Sequence, residues 1–228
     1  MSDAAQRRGS PVSKSYQRGP LFIAALVAGT TYLPADWLLP HGPLLVAWKG
    51  AGVGLLALWA ASRARGLDGW WITAVMALGA LGDVLIDAVG LTAGALAFLT
   101  GHVLAIILYL RHRRDEPWAK AAPIALGRLI IIPVLAFQFP ADRAAAPGIA
   151  LYAVGLGAMA ASAWLSSFPR SLVSKGALLF AVSDLLIFAR LGPLAGSWLP
   201  TVLIWPLYFA GQVLIADGVA GALAKKRL

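Results

Sequence analysis

The sequence predicts an all-α, polytopic membrane protein whose chain crosses the bilayer eight times. Hydrophobic residues make up 60% of the chain and charged residues 13%, a composition far outside the range of soluble globular domains. Long apolar runs recur along almost the whole chain and are separated by Pro, Gly and charged residues. Lys and Arg gather in alternate connections between these runs, as they do in cytoplasmic loops.

Each apolar run comes close to the ~20 residues that a spanning helix needs. The first run contains Pro34 and several others are short, so seven spans is an alternative to eight. We expect a disordered basic cytoplasmic tail over 1-18, a single eight-helix membrane domain over 19-222 and a basic cytoplasmic C-terminus over 223-228. The predicted spans are 20-39, 43-61, 70-89, 93-110, 121-138, 147-165, 174-190 and 200-221.

The distribution of positive charge predicts the orientation. With eight spans and both termini in the cytoplasm, fifteen of the nineteen Lys and Arg residues lie on the cytoplasmic side. Arg143 and Arg190 lie at outer ends, and Lys49 and Arg128 fall within apolar runs. We therefore expect an integral protein of a bacterial inner membrane, whose basic loops contact anionic lipid headgroups and not nucleic acid.

A weak internal repeat relates the two halves of the chain. GDVLID at 82-87 resembles SDLLIF at 183-188, and VGL at 53-55 recurs at 154-156, both at an offset of 101 residues. Four spans separate the corresponding segments, which is consistent with two parallel four-helix repeats related by an axis near the membrane normal. Chance similarity between apolar segments is the alternative.

Five polar side chains inside the predicted spans are candidate site residues. A charged side chain at the bilayer centre costs ~2.5 to 3.5 kcal/mol on insertion scales, so it suggests a functional site. Asp83 and Asp184 lie between mid-depth and the outer half, Lys49 lies near an outer end, and His102 and Gln212 lie near the middle of their spans. We expect all five to line one cavity in the outer half of the membrane.

Each candidate also has a structural alternative. The two aspartates could pair with Lys49 or His102 and only hold helices together, and Lys49 could extend to the outer headgroups. His102 could make an interhelical hydrogen bond. Asp87, one turn after Asp83, is expected near the outer interface. The Trp and Tyr side chains are interpreted mainly as the aromatic belt at the membrane interfaces.

The composition narrows the chemistry that these residues can perform. The chain has no Cys and three His, of which only His102 lies in a span, whereas a catalytic zinc takes three protein ligands. No GxSxG motif and no glycine-rich phosphate loop occurs. Two carboxyl groups in a low-dielectric site are the equipment of general acid and base catalysis. We expect neither a metal nor a cofactor.

Several motifs follow one another in a defined order over about residues 20-222. They are GDVLID at 82-87, FLTGH at 98-102, GALLFAVSD at 176-184 and YFAGQVLIADG at 208-218. Together they resemble the YhhN family of membrane proteins, which includes the lysoplasmalogenases. Lys49 matches the lysine of a Lys-Pro element, although Gly50 follows it here, and Ala105 stands where the family commonly has a tyrosine.

The resemblance implies an ether hydrolase that cleaves the vinyl ether bond of a lysoplasmalogen, a lysophospholipid, into a fatty aldehyde and a glycerophosphocholine or glycerophosphoethanolamine. Asp83 and Asp184 would be the acid and the base, and the resemblance does not assign which aspartate takes which role. Lys49, His102 and Gln212 would bind substrate. A small proton-coupled transporter or lipid-binding protein is the alternative, and a purely structural membrane protein is a third. The physiological substrate, the oligomeric state and the leaflet of entry stay open.

Overall fold

The computed structural model describes residues 18–225, and within this range there are eight α-helices and no β-strand. All eight spans are long and apolar enough to cross a membrane, so the predicted fold class is confirmed and the chain is an integral membrane protein. Most of the predicted tail over 1-18, and residues 226-228, lie outside the described residues. The helices are α1 (Gly19–Leu38), α2 (Pro43–Arg63), α3 (Leu67–Ala88), α4 (Leu91–Arg111), α5 (Trp118–Gln138), α6 (Ala146–Leu165), α7 (Lys175–Arg190) and α8 (Leu199–Lys225).

The first helix decides between seven and eight spans. Pro34 lies inside α1, yet the helix continues to Leu38. A membrane helix tolerates an internal proline where neighbouring helices satisfy nearby backbone groups. Five residues before the proline, the indole N–H of Trp205 in α8 donates to the carbonyl of Gly29 at 2.6 Å, which ties α1 to the bundle. Because α1 is one of eight helices in the described residues that are long and apolar enough to cross a membrane, eight spans are supported and seven are not.

The seventh span begins earlier than the sequence predicted. One turn of π-helix, Arg170–Ser174, precedes α7 and continues into it, so the span starts at Arg170. The hydroxyl of Ser174 accepts a hydrogen bond at 2.8 Å from Arg128, which also donates to the carbonyl of Ala160 at 2.8 Å. Arg128 is thus satisfied by α6 and by the π-helical turn, although it lies midway along α5.

The helices form one bundle with a lipid-facing exterior. Going around it, each helix packs on the next in the order α1, α2, α3, α4, α6, α5, α7, α8, and α8 also touches α1, α2 and α3. Large apolar side chains such as Ile130 (58% exposed) and Leu151 (71% exposed) cover the outside. Because the surrounding solvent is lipid, these side chains face hydrocarbon, whereas the mid-span side chains of Asp83, His102, Asp184 and Gln212 are buried in the bundle.

The connections close both ends of the bundle. At the end nearest the described termini, the backbone N–H of Arg114 donates to the carbonyl of Leu165 at 2.8 Å, and Arg170 donates to Glu116, which lowers the pKa of the Glu116 carboxyl. At the opposite end, the N–H of Ala141 donates to the carbonyl of Leu191 at 2.9 Å. The α5–α6 and α7–α8 connections are thereby joined to each other.

The two halves pair their helices differently in one place. The hairpins α1–α2 and α3–α4 have counterparts in α5–α6 and α7–α8, but α2 packs closely along α3, whereas α6 and α7 touch over a short stretch. The shared hairpins agree with two parallel repeats, although the duplication itself stays a prediction. The looser contact leaves a space between α3–α4 and α6–α7.

Candidate active site

Asp184 is one end of a buried chain of hydrogen bonds that joins three helices. The hydroxyl of Tyr152 in α6 donates to Asp184 Oδ2 in α7 at 2.6 Å, and His102 Nε2 in α4 lies 3.2 Å from the same hydroxyl. All three side chains are buried. A tyrosine hydroxyl has one hydrogen, so with that hydrogen directed at Asp184 Oδ2 the hydroxyl oxygen accepts from His102 in the tautomer whose proton is on Nε2.

Asp83 is the end of a second chain with the same chemistry. The hydroxyl of Tyr208 in α8 donates to Asp83 Oδ2 in α3 at 2.8 Å, and Gln212 Nε2, one turn further along α8, donates to that hydroxyl at 3.2 Å. These three side chains are also buried. In both chains an N–H group donates to a tyrosine, and the tyrosine donates to an aspartate.

Two glycines of α3 make room for the side chains packed against it, Gln212 of the second chain of hydrogen bonds and Phe98. A Cβ at Gly79 would lie 2.6 Å from Gln212 Nε2, and a Cβ at Gly82 would lie 2.8 Å from the ring of Phe98. Both approaches are closer than a side chain at these positions allows. The glycine that precedes Asp83 in the GDVLID motif is therefore needed for the Phe98 ring to rest on α3.

An apolar cavity of about 470 Å³ ends at Asp184. Its walls come from the end of α3, the first half of α4, the first half of α6 and the second half of α7, and Asp184, Tyr152 and Thr92 are its polar members. The volume lies within the range of pockets that bury small ligands, ~300–1,000 Å³. The cavity has the size and polarity to hold an apolar chain with one reactive group against a carboxyl.

Phe98 separates this cavity from the second chain of hydrogen bonds, which runs from Gln212 through Tyr208 to Asp83. Its ring lines the large cavity and also a small internal space of about 20 Å³ that is bordered by His102 and Gln212. The same ring packs edge-on against Tyr208, at 5.7 Å between centroids, and against Phe180, at 5.8 Å. Asp83 lines neither of these two spaces.

The predicted site residues are therefore distributed differently from the expectation of one common cavity. Asp184 borders the large cavity, His102 and Gln212 border the small one, and Asp83 is held by Tyr208 behind Phe98. Lys49 borders neither space and forms an ion pair with Asp87, with Nζ–Oδ distances of 2.9 and 3.0 Å. Lys49 thus pairs with Asp87 and with neither of the two mid-membrane aspartates.

Sequence reasoning missed the two tyrosines. From the sequence, the Trp and Tyr side chains are interpreted mainly as the interfacial belt. Tyr152 and Tyr208 are exceptions, because both are buried and each donates to an aspartate. One signal was available for Tyr208. It stands four residues before Gln212, a spacing that places both side chains on one face of a helix.

The arrangement supports proton transfer. Within residues 18–225, no three His, Cys, Asp or Glu side chains come together as metal ligands. Each aspartate has one oriented hydrogen-bond donor and is buried, and in such an environment a carboxyl group can give or take a proton and its charge is little screened. Asp184 in addition has open space beside it.

Comparison with known proteins agrees with the motifs. A model of the YhhN family matches residues 44–219. Two relatives named lysoplasmalogenase, from Mycobacterium bovis (strain ATCC BAA-935 / AF2122/97) and Mycobacterium tuberculosis (strain CDC 1551 / Oshkosh), are each 29% identical over 195 residues, covering 81% of this chain and 74% of each relative. No solved structure matches. The matched region contains most of the membrane domain and both aspartates, which confirms the resemblance: the chain belongs to the YhhN family.

Proposed function

We propose that the protein hydrolyses the vinyl ether bond of a lysoplasmalogen and releases a fatty aldehyde. The observation that carries the proposal is the position of Asp184, a buried carboxyl group at the end of an apolar cavity. The relatives named lysoplasmalogenase support the choice of substrate. The cavity takes the apolar chain next to the ether bond, and the glycerophosphate part lies toward its outer end.

Asp184 takes the part of the acid, because it borders the cavity. Its proton adds to the alkenyl carbon remote from the ether oxygen, and the carbon bound to that oxygen becomes an oxocarbenium ion. Water then forms a C–O bond to the cation and gives up a proton to the Asp184 carboxylate, the carboxyl group that borders the cavity. The hemiacetal breaks its C–O bond to the glycerol oxygen, which takes that proton from Asp184. The hemiacetal hydroxyl returns its own proton to Asp184 and becomes the carbonyl of the aldehyde. Glycosidases divide comparable work between two carboxyl groups.

Asp83 acts on this reaction through its charge. It does not line the cavity, and Tyr208, which holds it, packs against Phe98 in the cavity wall, so Asp83 does not touch a molecule in the cavity. A negative charge in a low-dielectric interior still stabilises a cation that forms nearby. His102 and Gln212 take the part of positioning residues, since each donates to the tyrosine that holds one aspartate.

The experiment is a comparison of three lysolipids with purified protein in detergent or vesicles. Only the vinyl ether has an electron-rich carbon that a carboxylic acid can protonate, so we expect aldehyde from the vinyl ether alone. The saturated alkyl ether should bind without turnover. The ester should survive as well, because neither chain of hydrogen bonds contains an activated nucleophile.

Solvent isotope and pH give a second readout of the same chemistry. Proton transfer to carbon is slow, so turnover in deuterium oxide should fall if chemistry limits the rate, and activity should fall at high pH as the acid ionises. Fatty acid released from the ester, with no aldehyde from the vinyl ether, would show an acyl hydrolase instead. Proton-coupled flux without any hydrolysis would favour the transporter alternative.

A further inference from the structure

We propose that the substrate enters this site sideways from the lipid, through a gap between the first halves of α4 and α6, and from the leaflet at the end of the bundle where these two helices begin. The proposal rests on the proposed function and adds to it the pool from which the substrate comes. The occupant is a single-chain ether phospholipid that resides in that leaflet.

The gap is open where the cavity meets the lipid-facing surface. Leu96 in α4 is 62% exposed and Leu151 in α6 is 71% exposed, and both line the cavity. Deeper in the bundle the two helices touch, because a Cβ at Gly155 would lie 2.4 Å from Leu99 Cδ1. The helices therefore meet at Leu99 and leave a space above it. Exposed leucines at this depth contact acyl chains, so the space opens onto hydrocarbon.

Entry from water at the same end is covered by the connections. Leu191 and Ala145 line the cavity, and the carbonyl of Leu191 accepts a hydrogen bond at 2.9 Å from the N–H of Ala141. The α5–α6 and α7–α8 connections thus meet above the cavity. A lysolipid already inserted in the bilayer does not need to pass this cover, whereas a molecule arriving from solution does.

The depth of Asp184 selects the leaflet. Asp184 is six residues before Arg190, the last residue of its span, and fourteen after Arg170, the first, which at a rise of ~1.5 Å per residue is about 9 Å from one end and about 21 Å from the other. The headgroup layer on each side of a bilayer is roughly 5–8 Å thick. A vinyl ether bond is attached to glycerol just below this layer, so it reaches Asp184 from the near leaflet with its headgroup still at the surface.

Substrate from the far leaflet would have to draw its phosphate into the hydrocarbon core to reach the same carboxyl group, at a large cost in desolvation. The basic residues lie mainly at the far end, which by the positive-inside tendency is cytoplasmic. The near leaflet is therefore the outer leaflet of the membrane.

Gly148 allows the gap to be filled without disturbing the helices. It lines the cavity, and a Cβ placed on it meets nothing within 4 Å. Gly127 in α5 is the matched control, since the nearest atom to its Cβ is Ile131 Cδ1 at 4.0 Å and it lies outside the cavity. We expect Gly148→Trp to lower kcat/KM for a long-chain lysoplasmalogen by about tenfold or more, the scale on which apolar pockets discriminate, and Gly127→Trp to leave it within about twofold.

Binding of the saturated alkyl lysolipid, measured in parallel, needs no chemistry. It should weaken in Gly148→Trp and not in Gly127→Trp. If Gly148→Trp and Gly127→Trp bind the analogue equally well and turn over lysoplasmalogen at equal rates, the proposed entry through the gap between α4 and α6 is wrong. A third outcome separates the two proposals. If wild-type protein binds this analogue more tightly than Gly148→Trp does, yet releases no aldehyde from the vinyl ether, the proposed hydrolysis is wrong and the lateral entry route is still supported.

The leaflet is tested with sealed membrane vesicles of known orientation, checked with an impermeant thiol reagent on Asp115→Cys in this Cys-free chain. Asp115 is an exposed residue at the far end, so it should react only in inside-out vesicles. Lysoplasmalogen added to the medium enters the facing leaflet and should be hydrolysed several-fold faster in right-side-out vesicles. Equal rates or faster hydrolysis in inside-out vesicles would overturn the leaflet assignment.

Discussion

Asp184 and Asp83 lie on corresponding helices of the two halves, and each is held by a tyrosine that is itself held by an N–H donor. Their surroundings are opposite. Asp184 borders a cavity of about 470 Å³ that reaches the lipid-facing surface, whereas Asp83 does not line this cavity and is held by Tyr208, whose ring packs against Phe98. The same local arrangement of hydrogen bonds therefore occurs once beside an open cavity and once away from it.

The difference follows from how each half pairs its helices. In the first half, Lys49 in α2 and Asp87 in α3 form an ion pair across the outer part of the α2–α3 contact. At the offset of 101 residues, the corresponding positions are Ala150 in α6 and Phe188 in α7. Neither can form an ion pair, and Phe188 lines the cavity. The closed half therefore carries the Lys49–Asp87 ion pair, here called the clasp, where the open half has an apolar wall.

The largest expected effect, and the strongest test of this comparison, comes from neutralising each aspartate. Asp184→Asn should lower turnover by at least ~100-fold, within the range for loss of a general acid. Asp83→Asn should lower it by about 100-fold as well, through loss of a charge that stabilises the cation. Because only Asp184 touches substrate, Asp184→Asn should also change KM, whereas Asp83→Asn should lower kcat alone. Steady-state kinetics on monodisperse protein measures both, and near-normal turnover in either variant would remove that aspartate from the chemistry.

The two tyrosines should give a smaller and unequal effect. A hydrogen bond to a charged group contributes about 1.5–3 kcal/mol, and loss of a partner is most costly where nothing can replace it. Tyr208→Phe leaves Asp83 without this donor in a closed site. Tyr152→Phe leaves Asp184 beside a cavity large enough for water. We expect Tyr208→Phe to lower turnover and thermal stability more than Tyr152→Phe. The reverse order would contradict the assignment of Asp184 to an open site and of Asp83 to a closed one.

The clasp of the closed half should give the smallest effect. The side chains of Lys49 and Asp87 are 15% and 32% exposed, and a partly exposed ion pair contributes about 0–1 kcal/mol. Lys49→Gln and Asp87→Asn should therefore act alike and change turnover by no more than about fivefold. Paired KM measurements provide the check. An increase in KM with Lys49→Gln alone would show that Lys49 binds the substrate, as the family resemblance implied.

The sequence by itself determined the eight spans and most of the polar site residues. In lipid every backbone polar group must be satisfied within the segment, so an apolar run of about 20 residues is sufficient to predict a helix. The cost of a buried charge is likewise local, so Asp83 and Asp184 stand out without any knowledge of their neighbours. The same reasoning selects His102 and Gln212, which proved to be the first donors of the two hydrogen-bonded chains.

Tertiary structure alone decided which aspartate borders the cavity and which tyrosine donates a hydrogen bond to each aspartate. Tyr208 and Asp83 are 125 residues apart in the chain, and Tyr152 and Asp184 are 32 apart. A membrane helix is apolar on nearly every side, because both its lipid-facing and its buried surfaces avoid water. Its hydrophobic periodicity therefore does not indicate which face turns inward, and the partners of Asp83, Asp184 and Lys49 are set by the packing of helices that are distant in sequence.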